Sequence, residues 1–124
     1  MYTFLAIAIG AVFGAWSRYL MTQLVQAIWG QSFPFATLII NVSGCFAMGF
    51  LFVETLERLT LPGAVRTGIL TGFLGAYTTF STYSMETLLL AEQGAAVRSA
   101  IYVLASNLIG ITAAFVGSYL ARNL

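Results

Sequence analysis

The densest chemistry in this chain lies in one run, Ala76-Tyr77-Thr78-Thr79-Phe80-Ser81-Thr82-Tyr83-Ser84-Met85-Glu86-Thr87, where eight of twelve residues carry a hydroxyl. Half of the twelve threonines fall between positions 67 and 87. Hydroxyls donate to anions and accept from cations, and they need no net charge for either task. Phe80 and Tyr83 stand three apart, so one helical face carries both rings and their positive edges. Glu86 is the only carboxylate near the run, and Arg18 is the only base in the first third of the chain. Asn41, Tyr102, Ser106 and Asn107 repeat the uncharged polar theme farther off.

Three kinds of transport compete for this set. A cation channel needs a ring of acids, and Glu86 alone makes a poor one. Proton-coupled export of lipophilic cations needs one embedded carboxylate, for which Glu86 is again the sole candidate. Anion passage needs hydroxyls, an amide and ring edges, which the run and Asn41 supply together. Enzymatic chemistry is not expected, because no nucleophile–base pair, metal set or phosphate loop is present. With no His and one cysteine, Cys45, the chain has neither a zinc cage nor an internal disulfide.

The elements that hold these residues follow from composition. Of 124 residues, 60% are hydrophobic and 7% charged, with a mean hydropathy of +0.92. Nine charged side chains, five Arg and four Glu, cannot cover a soluble domain. A net charge of +1 gives no footprint for nucleic acid. An all-α membrane protein remains. Charges and the Trp29–Pro34 turn divide it into four spans at about 3–27, 35–53, 66–91 and 98–121, in one domain over 1–124. The 54–65 stretch, with three charges and a Pro-Gly pair, reads as a loop. The start lacks the basic segment of a signal peptide, and the apolar stretch outruns one. Gly10-xxx-Gly14 and Gly68-xxx-Gly72 each put two small residues on one face, suited to close helix contact in lipid.

The hydroxyl run therefore falls inside the third span, where unpartnered hydroxyls are costly. Few of eight can bond back to their own helix, and a Thr-Thr pair after Gly75 is a poor helix continuation. The expectation is a break near 75–79 that turns carbonyls toward a cavity or a cation. The arginines divide three to two across the membrane, with Arg58, Arg66 and Arg122 opposite Arg98 and Arg18. So weak a bias is compatible with one fixed orientation and with insertion both ways, two copies pairing antiparallel.

Three stretches, Gly14–Tyr19 (GAWSRY), Thr37–Gly44 (TLIINVSG) and Thr71–Ser84 (TGFLGAYTTFSTYS), resemble the small bacterial fluoride channels called Fluc or CrcB. The similarity runs over essentially the whole chain, and the third stretch is the most specific. It implies an antiparallel, dual-topology homodimer in the bacterial inner membrane, with two fluoride pores lined by both subunits. It further implies a structural sodium ion at the dimer centre, held by backbone carbonyls that match Gly75 and Thr78. Asn41 matches a fluoride-contacting donor, Ser106 a serine of the path, and Phe80 and Tyr83 two phenylalanines whose ring edges touch the anion. Tyr83 departs from the usual Phe, and its hydroxyl either adds a donor or obstructs the path. Ser81, Thr82 and Glu86 match a polar track, Arg18 matches a basic residue at the aqueous entrance, and Gly110 stands where some relatives have a further Ser. The implied activity is passive export of cytoplasmic fluoride, which lowers its toxicity. The second reading is a small proton-coupled multidrug exporter working through Glu86.

Overall fold

The structure is a computed structural model describing all of residues 1–124, and it contains helices and no strands. Helix α1 spans Tyr2–Trp29. Its 28 residues reach about 42 Å, enough for a bilayer core of ~30 Å. It stops at Gly30, whose φ of 72° is open to glycine and awkward for other residues. Helix α2 spans Phe35–Val53 and follows Pro34, which restricts the chain just before the first turn. Helix α3 occupies 63–77, helix α4 spans Phe80–Glu92, and helix α5 spans Ala96–Asn123.

Three helices are long and apolar enough to cross a membrane: Tyr2–Trp29, Phe35–Arg58 and Ala96–Asn123. The second is longer than α2 alone because Glu54–Arg58 continue it as one wide π-type turn, closed by the Leu59 N–H donating to Glu54 O at 2.7 Å. The stretch expected to be a loop over 54–65 is thus helical in its first five residues. Its Glu54–Arg58 pair, 3.2 Å apart at i, i+4, supports that extra turn.

Helix α3 is itself irregular. Gly63–Thr67 are α-helical, Gly68–Leu74 widen into a π-type stretch, and Gly75–Tyr77 return to α before the helix stops. This widened stretch makes most of the contact between α3 and α1. A Cβ placed on Gly10 would strike the Gly68 carbonyl, and one on Gly14 would strike the Phe73 carbonyl. In return, a Cβ on Gly68 would lie 2.8 Å from Ala6 O, and one on Gly72 2.7 Å from Ile7 O. The two small-residue faces seen in the sequence are therefore each other's partners. A second pair joins α2 to α5, where Gly49 faces the Ala114 backbone and Gly117 the Phe46 backbone. In lipid, apolar surface gains little by leaving its solvent, so backbone-to-backbone packing of this kind is what holds helices together.

The outer surface is strongly apolar, with Phe4, Trp16, Leu20, Leu24, Leu108 and Phe115 among the exposed side chains. Of the polar residues singled out above, Asn41, Thr79, Glu86, Tyr102 and Ser106 are buried or half-buried near the end of α3, whereas Ser81, Thr82, Ser84 and Asn107 are exposed in this chain.

Candidate functional site

The site grows from two residues that leave the helix. Thr78 (φ −81°, ψ 159°) and Thr79 (φ −152°, ψ 114°) are extended, separating α3 from α4. Two adjacent β-branched residues tolerate this conformation well. The Thr79 N–H, which an unbroken helix would turn toward Gly75 O, donates instead to Asn41 Oδ1 at 2.8 Å. Asn41 Nδ2 returns a bond to Thr79 O at 3.0 Å. The Asn41 amide thus pairs with the Thr79 peptide as a neighbouring strand would, and takes up the N–H that the break turns away from Gly75 O. Thr78 O accepts from Arg18 Nη1 at 3.3 Å. The close fit of α2 under the break needs Gly44, where a Cβ would run into the Thr78 methyl.

Thr79 also starts α4. Its Oγ1 accepts from the Thr82 N–H at 3.2 Å, a side-chain N-cap, and donates to Thr82 Oγ1 at 2.9 Å. Of the eight hydroxyls in the run, Thr78, Ser84 and Thr87 bond back to carbonyls four residues earlier. The others are directed elsewhere.

Two cavities meet at the break. The first is a cleft of about 610 Å³ lined by Arg18, Thr37, Thr79, Thr82 and Glu86, with glutamines 23, 26, 31 and 93 toward its mouth. In it, Glu86 Oε1 accepts from Thr37 Oγ1 at 2.7 Å and Oε2 from Tyr102 OH at 2.9 Å. Thr37 is nearly buried and Tyr102 fully so, hence the carboxylate is held by donors from α2 and α5. Arg18 faces the same cleft, and the ion pairs of the chain lie elsewhere, at Arg58–Glu54 and Arg122–Glu57.

The second cavity encloses about 320 Å³ and is lined by Asn41, Phe80, Tyr83, Ser106 and Asn107, together with both break threonines. The Phe80 and Tyr83 rings are 5.5 Å apart between centroids, and Tyr83 lies 5.2 Å from Tyr102. Phe80 is 79% exposed, so most of its ring projects from this chain. Ser106 Oγ is buried and is the one such side-chain atom without a hydrogen-bond partner. A buried hydroxyl left unpaired costs about 1–3 kcal/mol, which makes this oxygen a natural place for a ligand to be bound.

The residues named from the sequence are therefore distributed. Arg18, Thr82 and Glu86 share the first cavity; Asn41, Phe80, Tyr83 and Ser106 share the second. Ser81 lines neither, and its Oγ lies 3.4 Å from Thr79 Oγ1. Gly75 is exposed, with open space where a Cβ would stand. Sequence reasoning missed the places that Thr37 and Thr79 hold in the site, although each carries a signal. Thr37 sits one turn before Asn41, and Thr79 precedes Thr82 by the spacing of a cap.

Membrane-crossing helices around polar cavities that adjoin a backbone break define a multi-pass membrane protein with a built polar interior. Residues 5–118 match the family described as CrcB-like protein, Camphor Resistance (CrcB). A protein of Acidithiobacillus ferrooxidans named fluoride-specific ion channel FluC is 56% identical over 121 residues, covering 98% of this chain and 97% of that one. A Methylococcus capsulatus protein of the same name is 47% identical over 119 residues, 96% of this chain and 52% of its own length. A Moorella thermoacetica protein named FluC 1 is 44% identical, with 96% and 85% covered. The chain belongs to the CrcB family.

Proposed function

We propose that this chain is a fluoride-selective channel that lets cytoplasmic fluoride leave passively across the bacterial inner membrane. The observation that carries the reading is Thr79, which lines both cavities. Beyond Arg18 and Glu86, a route past Thr79 to Ser106 and the two rings is lined by uncharged groups. Relatives that match nearly the whole chain are named for the same ion.

Fluoride is small and holds its water tightly, so close donors must replace that water. The hydroxyls of Thr82 and Ser106 and the ring edges of Phe80 and Tyr83 are the candidates, the Thr79 hydroxyl proton being spent on Thr82 Oγ1. Asn41 has committed one N–H and its oxygen to Thr79, which leaves one amide N–H for the ion. Arg18 attracts the anion toward the cleft. No observation favours the proton-coupled exporter.

The segment 63–92 is the fourth span in this reading, its break at mid-membrane. The exposed Phe80 ring and the exposed Gly75 support a second copy packed on that face, antiparallel and so of opposite topology. Sodium, a hard cation, would be held between copies by carbonyls of Gly75 and Thr78. The Gly75 carbonyl suits this, because Thr79 N–H has turned to Asn41; Thr78 O already faces Arg18. When bound, the ion supplies positive charge at a depth hostile to anions.

Liposomes containing this protein alone are expected to release fluoride rapidly and to retain chloride, as read by ion-selective electrodes. Intact protein that releases no fluoride ends the proposal. Purified protein should have the mass of two chains by light scattering, and replacing sodium with a large organic cation should slow fluoride release. A monomer, or indifference to every cation, removes the corresponding part.

A further inference from the structure

The Tyr83 hydroxyl is held in an unusual state. Its oxygen lies 3.0 Å from Asn107 Nδ2, one helix away on α5. The same Nδ2 lies 2.8 Å from Val103 O. A carbonyl only accepts, so the Val103 contact fixes which end of the Asn107 amide is the NH₂ group. Both amide protons are then spent, one on Val103 O and one on the Tyr83 oxygen. Tyr83 must be the acceptor in this pair, and its own phenolic proton has no partner in the chain.

That proton belongs to a side chain lining the second cavity, where Ser106 Oγ is likewise unpaired. The ring is gripped as well, with Phe80 at 5.5 Å and Tyr102 at 5.2 Å on the centroids. Tyr102 is in turn packed edge-on by Phe33 at 5.6 Å. The phenol therefore has a fixed ring, an occupied acceptor side and a free donor. Accepting from Asn107 also strengthens it as a donor, since hydrogen bonds in a chain polarise one another.

We propose that Tyr83 OH donates directly to the anion in this cavity, and that Asn107 is the positioning residue that turns the proton toward it. The pair acts as a specificity-determining element, because a single O–H favours the small anion with concentrated charge over larger halides. The inference rests on the anion-channel reading above and adds an affinity site within it.

The test measures fluoride efflux from liposomes over a range of fluoride concentrations for the unaltered chain, Tyr83→Phe, Asn107→Leu and the double variant. Tyr83→Phe keeps the ring and loses one charge-assisted bond, so the half-saturating fluoride concentration is expected to rise about tenfold. Asn107→Leu should raise it when Tyr83 is intact and have no further effect when combined with Tyr83→Phe. A half-saturation unchanged by Tyr83→Phe overturns the proposal. So does an Asn107→Leu effect of equal size with and without Tyr83→Phe. If Asn107→Leu does not assemble, Tyr83→Phe alone decides. Loss of flux by the unaltered chain refutes the channel reading, whereas a conducting chain indifferent to Tyr83→Phe refutes only this inference.

Discussion

Replacing Asn41 with leucine is expected to reduce fluoride flux at least a hundredfold, although the two side chains are close in size. Leucine removes both bonds that pin the Thr79 peptide, 2.8 Å and 3.0 Å long. It leaves the Thr79 N–H unpaired where water is scarce, at about 1–3 kcal/mol, and takes a second donor away from Thr79 O. The chain has one inexpensive escape: Thr79 N–H returns to Gly75 O and the helix closes over the break. That removes the extended pair that borders both cavities, and takes away the Gly75 carbonyl, one of the two assigned to sodium. Asn41→Leu should consequently give folded protein that elutes normally and conducts little. Flux within threefold of the unaltered chain would show that the break stands without its clamp. Asn41→Asp separates the two roles of the amide. Its carboxylate still accepts from Thr79 N–H but offers Thr79 O no donor, and it puts a negative charge in an anion's path.

The sequence exposed some of this architecture more readily than the rest, for physical reasons. Hydropathy marked the long helices because the lipid constraint acts on every residue of a span. The break was legible because eight hydroxyls and a Thr-Thr pair are hard to place in a continuous apolar helix. The two Gly-xxx-Gly faces were visible, yet their pairing was not, since nothing local says that Gly10 meets Gly68 and Gly14 meets Phe73. The same limit hid the Glu86 carboxylate's partners. Thr37 and Tyr102 are 49 and 16 residues away from it and come together only through packing. Asn41 was found as a donor from its type and depth. Its pairing with Thr79 is a tertiary fact, and it shifts much of the residue's work from touching an ion to shaping the backbone. The π-type turn after Val53 had a weak signal in the Glu54–Arg58 spacing, overridden by the charges and the Pro-Gly pair beyond it.

Phe80→Ile and Glu86→Gln separate the two transport mechanisms, and their expected effects are opposite in rank. Isoleucine keeps apolar bulk at the first residue of α4 but has no aromatic edge, so the electropositive rim beside Tyr83 and Ser106 is lost. The cost falls on a nearly dehydrated anion, for which each lost contact is dear, and a fall in flux of about a hundredfold or more is expected. Glu86→Gln should cost less than tenfold. The glutamine oxygen can still accept from Thr37 or Tyr102, whose hydroxyls now hold the carboxylate at 2.7 Å and 2.9 Å. An exporter that exchanges protons for lipophilic cations reverses this order, because glutamine cannot take up and release a proton. Complete loss of transport in Glu86→Gln, with Phe80→Ile nearly unaffected, would therefore overturn the channel mechanism. A carboxylate already engaged by two buried donors is better suited to fixing hydroxyl directions along a polar wall than to cycling between charge states.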